Sequence, residues 1–292
     1  MDSPKLFHAI ARADTPIEGE STALFPWWSI AKTVLAVAVL RLADQGKIAL
    51  DDRYEDRPYT IRQLLQHTAG VNDYGGAAYR SAVAAGDPVW PVAELLARVK
   101  AERLMSKPGE AFAYSNVGFL FLRQFIEATV GLELDAALRL LVFAPLGVER
   151  ARIASTADEM ARTHWGNPTC YDPRWVYHGL LIGPPSDAVA FLRRAFSGGF
   201  LSAQSLAAAM DMRALGDALP GRPCTKFGYG LGLMMGEMGS AGRVYGHSGV
   251  GPDSVSALYC FPDLPGAPIV AVFGRGAVEG VAEFEALRLA RA

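Results

Sequence analysis

Ser29-Ile30-Ala31-Lys32 puts a hydroxyl and an amine three residues apart. On a helix that spacing places both on one face, with Cβ atoms roughly 5–6 Å apart. A serine hydroxyl is a weak nucleophile until a base takes its proton. A lysine amine becomes such a base when its pKa falls, and burial or nearby positive charge makes it fall. The residues that follow supply the burial. Across 30–42 only Lys32, Thr33 and Arg41 are polar, so the pattern predicts a central helix that is apolar on nearly every side. Gly46 suits the left-handed residue that ends a helix. Ser29 would be the N-cap or a first-turn residue, close to the positive end of the helix dipole. A capping serine followed by a lysine that snorkels to water has the same sequence, and Ser-x-x-Lys alone is common by chance. Two later segments add weight. Tyr114-Ser115-Asn116 stands just before an apolar helix expected over 117–130, and His247-Ser248-Gly249 stands among strands. A polar junction between loop and helix can face a cleft, although a capping Ser or Asn beside a packed Tyr reads the same way.

Residues 5–13 and 21–28 are expected as short strands, with Asp14-Thr15-Pro16 and Gly19-Glu20 turning the chain between them. The second strand runs into Ser29. From 47 to about 202 the pattern is mostly helical. Residues 61–67 form a helix capped by Thr60 and stopped at Gly70, and further helices are expected over 91–104, 132–141, 186–197 and 202–215. Near Gly216 the character changes. Residues 227–235, 244–245, 254–261 and 268–273 read as successive antiparallel strands, and 279–289 as a closing helix. Strands at both ends with helices between them imply an α+β fold. A central antiparallel sheet flanked by helices would be built from 1–46 and 216–292. A mainly helical domain, 47–215, would be inserted, with the active site in the cleft between the two.

The 292 residues are 51% hydrophobic and 20% charged, enough to bury roughly three quarters of the unfolded surface. A net charge of −2 without a long basic run argues against nucleic acid. No apolar stretch approaches the ~18 residues that span a bilayer. Residues 1–14 lack the apolar centre of a signal peptide, so a cytoplasmic protein without a membrane partner is expected, unless an export signal has been trimmed away. Cys170, Cys224 and Cys260 are too few and too widely spaced for a disulfide framework or a metal site, and no His-Glu-x-x-His occurs. Neither metal nor cofactor is expected. His67 is read as a helix-end residue bonded to backbone, and Trp27 and Trp28 as core or cleft wall. Loops 72–79 and 168–181 are expected to set specificity. Trp175, Tyr177 and His178 in the second are as readily ordinary packing as cleft residues. Gly246-His247-Ser248-Gly249-Val250 misses the Gly-x-Ser-x-Gly nucleophile elbow, both at Val250 and in its hairpin context. Gly228-Tyr229-Gly230-Leu231-Gly232-Leu233 misses Gly-x-Gly-x-x-Gly at Leu233 and lacks a βαβ unit.

Together, Ser29-Ile30-Ala31-Lys32, Tyr114-Ser115-Asn116 and His247-Ser248-Gly249 resemble the serine β-lactamase and penicillin-binding protein superfamily. The likeness is to its class C β-lactamase-like branch, which also holds esterases, D-aminopeptidases and D-Ala-D-Ala carboxypeptidases. Leu64-Leu65-Gln66-His67-Thr68-Ala69-Gly70 and Phe227-Gly228-Tyr229-Gly230-Leu231-Gly232 fit as well, so the likeness runs from about residue 21 to 273. The resemblance implies a β-lactamase/transpeptidase-like fold and a hydrolase that acylates Ser29. Lys32 and Tyr114 would share the proton work, with the base undecided between them. Asn116 would bind the substrate's ester or amide, and the backbone N–H groups of Ser29 and Val250 would form the oxyanion hole. Gly249 would leave room for substrate beside the strand. His247 would also bind substrate, but it departs from the Lys usual in true β-lactamases, and a neutral imidazole attracts a carboxylate less than an ammonium does. Small ester or amide substrates are therefore expected ahead of penicillin-like ones, with a D-amino-acid peptidase or β-lactamase as alternatives. The segment before Ser29 is short for the branch, which leaves the sheet edge and the oligomeric state open. A non-catalytic binding or sensor protein on the same fold is the competing class, and retention of Ser29, Lys32, Tyr114 and Asn116 together argues against it.

Overall fold

Helix α1 (Ala31–Asp44) is buried through Leu42 apart from Arg41, as its apolar sequence requires. It packs against α5 (Asn116–Val130), α6 (Leu134–Leu138) with the π-helical turn Arg139–Phe143 that follows, and α9 (Ala203–Met210). The computed structural model describes residues 5–13 and 15–292. The expected turn at Asp14, and part of the reading of residues 1–14, lie outside the described residues.

Both ends of the chain feed one sheet. Its strands are β1 (Leu6–Ala11), β2 (Glu18–Gly19), β6 (Arg213–Asp217), β7 (Lys226–Tyr229), β8 (Met234–Glu237), β9 (Arg243–Gly251), β10 (Ser254–Cys260) and β11 (Ile269–Arg275). They pair antiparallel in the order β2-β1-β11-β10-β9-β8-β7-β6. Helix α8 (Pro185–Phe196) and helix α10 (Gly280–Arg291) both pack on β1, β10 and β11. Alternate residues of β11 enter separate cores: Ala271 and Phe273 join the core of α1 and α8, Val270 and Val272 that of α10. Burial on both faces explains why Ile269 to Phe273 is an unbroken apolar run rather than an alternating one. The result is the expected antiparallel sheet flanked by helices.

Several expected elements change. Of 21–28 only β3 (Phe25–Pro26) is strand, and it joins β5 (Leu180–Gly183) and β4 (Arg152–Ala154) in a separate sheet, order β3-β5-β4. β5 is Leu-Leu-Ile-Gly, buried throughout, so it shows no alternation to read. The expected strand 227–235 is the hairpin β7–β8, turned at Gly230 to Leu233. The expected helix 202–215 stops at Met210, and the chain enters β6. With α8 on the sheet and β6 within it, the end of the stretch assigned to the helical domain lies with the sheet. The rest of that stretch holds α2 (Ile61–Leu65), α3 (Ala77–Ala85), α4 (Val92–Arg98) and α7 (Ala157–Ala161). Among the described residues no helix is long and apolar enough to cross a membrane.

Candidate active site

Ser29 lies in a single 3-10 turn, Trp28–Ile30, between β3 and α1. Its side chain caps nothing, which corrects the N-cap reading. Trp27 N–H donates to Leu181 O (2.8 Å), extending the β3–β5 pairing. Trp28 then adopts a left-handed φ of 48°, a costly conformation for a bulky residue that its surroundings must hold. The Trp28 Nε1–H donates to Ser254 Oγ (2.9 Å), and the Ser256 hydroxyl donates to Trp27 O (3.0 Å). The turn rests on β9. A Cβ on Gly249 would lie 2.7 Å from Ser29 N and from Trp28 Cβ, and one on Gly251 would lie 2.5 Å from the Trp28 ring. The expectation that Gly249 makes room for substrate is therefore corrected: the space is filled by the turn that carries Ser29.

Lys32 is fully buried in the first turn of α1. Its Nζ lies 2.7 Å from Asn116 Oδ1, 3.3 Å from Ser29 Oγ and 3.2 Å from His178 Nε2. Asn116 is fixed by a carboxylate: its backbone N–H donates to Asp73 Oδ1 (2.8 Å) and its Nδ2 to Asp73 Oδ2 (3.1 Å). The amide nitrogen is thus committed to Asp73, which turns Oδ1 to Lys32. Burial brings the Lys32 amine down from 10.5 to about 7, against the opposing pull of the Asp73 carboxylate. Desolvation outweighs attraction because the amine is enclosed while Asp73 is spent on Asn116.

Ser115 caps α5, its Oγ accepting from Gly118 N–H (3.0 Å), so Tyr114 and Asn116 flank the helix start on either side. His67 Nδ1 accepts the Ser115 backbone N–H (3.0 Å), and its ring lies 4.2 Å from that of Tyr114. His67 therefore bonds to backbone, as read from sequence. The Lys32 Nζ stands 5.0 Å from the Tyr114 ring centre. Burial raises the Tyr114 phenol well above its ordinary 10; a hydrogen bond with Ser29 opposes the rise, and the Asp73 and Glu279 carboxylates add to it.

His247 is placed differently from expectation. The imidazole is fully buried, Nδ1 donates to Ser248 O, and Nε2 accepts from the Tyr229 hydroxyl (3.0 Å). Burial, helped by the Lys32 charge, holds it neutral with a pKa near 3. It stands behind Tyr114, with ring centres 6.3 Å apart, and does not line the cleft. Its expected part in binding substrate is corrected, because strand alternation turns Ser248 and Val250 toward the cleft instead. Val250 is 40% exposed at the cleft. β8 pairs with β9 only as far as Gly246, which leaves this edge of β9 free.

The cleft has a volume of about 770 Å³, within the usual range for small-molecule sites. Ser29, Tyr114, Asn116 and His178 lie along it; Trp28, Tyr74, Tyr79, Tyr171 and Val176 give it an aromatic, apolar wall, and Asp73, Arg80 and Glu279 bring charge. The Glu279 carboxylate has no partner among the described residues. Of loop 168–181, Trp175 packs edge-on to Tyr79 and Trp90, Tyr177 donates to Trp90 O (2.9 Å), and only His178 reaches Lys32. Sequence reasoning missed Asp73 and undervalued His178. Ser248 stood in a quoted motif, but its support did not: Arg222 donates to Ser248 Oγ (2.7 Å) and pairs with buried Glu283, which also accepts from Tyr259 (2.9 Å).

The family model described as Beta-lactamase matches residues 8–288. A penicillin-binding protein of Bacillus subtilis (strain 168) is 24% identical over 271 residues, covering 80% of this chain and 57% of that protein. Esterase EstB of Burkholderia gladioli is 30% identical over 193 residues, covering 58% and 48%. The chain thus spans about half the length of these relatives. The crystal structure of D-amino acid amidase from Ochrobactrum anthropi SV3 superposes with a TM-score of 0.81 at 20% identity, covering 98% of this chain and 94% of that one.

Proposed function

The chain belongs to the beta-lactamase family, and on that premise we propose that it hydrolyses an ester or amide bond through an acyl-enzyme on Ser29. One observation carries the reading. At the floor of an open, aromatic cleft, a buried Lys32 amine whose pKa has fallen to about 7 faces Ser29 Oγ at 3.3 Å. A base poised near neutrality can take a proton and return it.

In this reading Lys32 is the base. Tyr114, its phenol held high by burial, stays protonated at neutral pH and cannot be. The Ser29 proton passes to Lys32 Nζ as Oγ attacks the carbonyl carbon. The Ser29 N–H receives the oxyanion, since the turn's bond runs from Ile30 N–H to Trp27 O and leaves the amide before it unbonded in the turn. Val250 N–H, on the free edge of β9, is the second donor; one such donor is worth about 3–4 kcal/mol. The Lys32 proton then reaches the leaving group by way of the Tyr114 hydroxyl, and water repeats the sequence to free Ser29. Asn116 holds Lys32 with Oδ1, so it orders the base as well as facing the substrate.

The aromatic wall suits an apolar acyl group, and buried neutral His247 supplies no cation for an anionic tail. Small neutral esters and amides are the substrates expected. A second reading has its own observation: the unpartnered Glu279 carboxylate at the cleft would pair with an ammonium, as an amino-acid amide carries. A structural neighbour is named a D-amino acid amidase. The sheet and helical parts are read as the two walls of this cleft.

The test is covalent. The protein should take up one equivalent of a fluorophosphonate and hydrolyse a short-chain p-nitrophenyl ester, while Ser29→Ala does neither. A folded parent that neither labels nor turns over ester refutes the reading and favours a binding module. Comparing glycine and phenylalanine p-nitroanilides with their N-acetyl forms separates the two substrate readings.

A further inference from the structure

We infer that His178 is a positioning residue for this site: its Nε2 accepts an N–H of Lys32 and so aims the amine lone pair at Ser29 Oγ. The inference rests on the serine-hydrolase reading above. A neutral amine has two N–H bonds and one lone pair. Lys32 Nζ has three polar neighbours, Asn116 Oδ1 at 2.7 Å, His178 Nε2 at 3.2 Å and Ser29 Oγ at 3.3 Å. Asn116 Oδ1 can only accept, because the amide nitrogen is committed to Asp73. If Nε2 also accepts, both N–H bonds are used and the remaining corner of the nitrogen faces the serine. With Asn116 alone, the amine could rotate about that single bond and offer Ser29 an N–H instead.

The same assignment serves the next step. Once Lys32 has taken the proton it carries three N–H bonds, and Ser29 Oγ, Asn116 Oδ1 and His178 Nε2 are three acceptors. An imidazole with its proton on Nε2 would take up the lone pair of the amine and oppose the ammonium. His178 therefore carries its proton on Nδ1, an atom that is buried and has no partner among the described residues. Leaving it so costs stability, a cost set against what Nε2 does.

The fold explains how a residue so far along the chain arrives. β3 runs antiparallel to β5, with Pro26 opposite Ile182 and Trp27 N–H bonded to Leu181 O. The pairing ends where the Ser29 turn begins at Trp28, and His178 stands two residues before β5 on the other strand. One small sheet thus sets both the nucleophile and the group that orients its base. Facing Lys32 are Asp73 through Asn116, the Tyr114 ring at 5.0 Å and the Phe119 ring at 5.6 Å. His178 lies against Lys32, and burial above all, with the positive charges of Lys32 and Arg123, keeps the imidazole neutral and fit to accept.

Two variants test this. His178→Leu keeps bulk and removes the acceptor, while His178→Gln keeps an acceptor oxygen. Fluorophosphonate acylation is followed against pH, and the Lys32 Cε shift is titrated by NMR in the resting protein. Expected for Leu is acylation slowed about 10- to 100-fold with KM for the ester little changed. Its Lys32 midpoint should fall by about one pH unit, because the ammonium has lost an acceptor. Gln should restore most of both. A folded Leu variant with parental rate and midpoint overturns the inference, and so does a Gln variant as impaired as Leu. If Leu does not fold, Met carries the same expectation. The NMR midpoint does not depend on turnover. A parent that fails to label at Ser29 refutes the hydrolase reading, whereas an unmoved midpoint refutes the role of His178.

Discussion

Lys32→Met removes the charge and keeps the length of a fully buried amine beside Ser29. The fall of the amine from 10.5 to about 7 corresponds to roughly 5 kcal/mol between the two protonation states. Below pH 7 the amine is charged both folded and unfolded, and the folded protein bears that cost in full. Between pH 7 and 10.5 the unfolded chain holds a proton that the folded one lacks, so stability of the parent rises with pH. The Met variant has no such dependence at this position. Met also leaves Asn116 Oδ1 and His178 Nε2 without a donor, at about 1–3 kcal/mol each, but that offset is nearly constant with pH. The informative quantity is therefore the change in the difference between the two proteins. Relative to the variant, the parent should gain roughly 3 kcal/mol between pH 7 and 9.5, with the variant at its most favourable near pH 6. Urea unfolding followed by tryptophan fluorescence across pH 6 to 9.5 measures this; ionisations common to both proteins cancel. Acylation of Ser29 in the variant should fall about 10²–10⁴-fold. A stability difference constant to within about 1 kcal/mol over that range would refute the depressed amine, and with it the choice of Lys32 as base.

His67, His178 and His247 are buried and held neutral, chiefly by desolvation. Their folded pKa values lie below the ordinary 6.5, so stability is lost as pH falls below 6.5, with a slope approaching about 4 kcal/mol per pH unit if all three take up a proton on unfolding. A slope near that of one proton between pH 6 and 5 would show that two of them stay solvated. Gly249→Ala drives a Cβ to 2.7 Å from Ser29 N, so the variant should fold with about 1–3 kcal/mol less stability and acylate about 10²-fold more slowly; unchanged acylation would mean that β9 does not set the serine. Arg222→Met strands Glu283, whose side chain is 1% exposed, and should cost about 3–5 kcal/mol. Adding Glu283→Gln should recover part of it in a chemical denaturation series, and no recovery would argue against the pair as the cause.

The groups proposed to react were legible as candidates because each sits in a short motif whose chemistry is local: Ser29 and Lys32 three residues apart, Tyr114 and Asn116 beside a capping serine. The groups that orient them were not. Asp73 reaches Asn116 from 43 residues away, and His178 reaches Lys32 across 146. The four-residue strand that delivers His178 is apolar on both faces and leaves no period to read. His247 was misjudged for a different reason. A strand's two faces are told apart only by what packs on them, and here the imidazole meets Tyr229. Gly249 was likewise assigned to the right place for the wrong neighbour, since the Trp28 turn that presses on it was expected as plain strand. The sheet itself was readable from alternation and turn residues, except where burial on both faces erased the alternation.

The pairing of β1 with β11, Leu6 opposite Gly274 through Ala11 opposite Ile269, bears on how the protein is born. A ribosome adding ~5–20 residues per second needs roughly 15–50 seconds between emitting β1 and emitting its partner. For that interval β1 is paired at most with β2, while α1, apolar on nearly every side, is covered only as the later helices α5, α6 and α9 emerge. Closing of the sheet around β1 then waits on β11, the strand that ties it to β10.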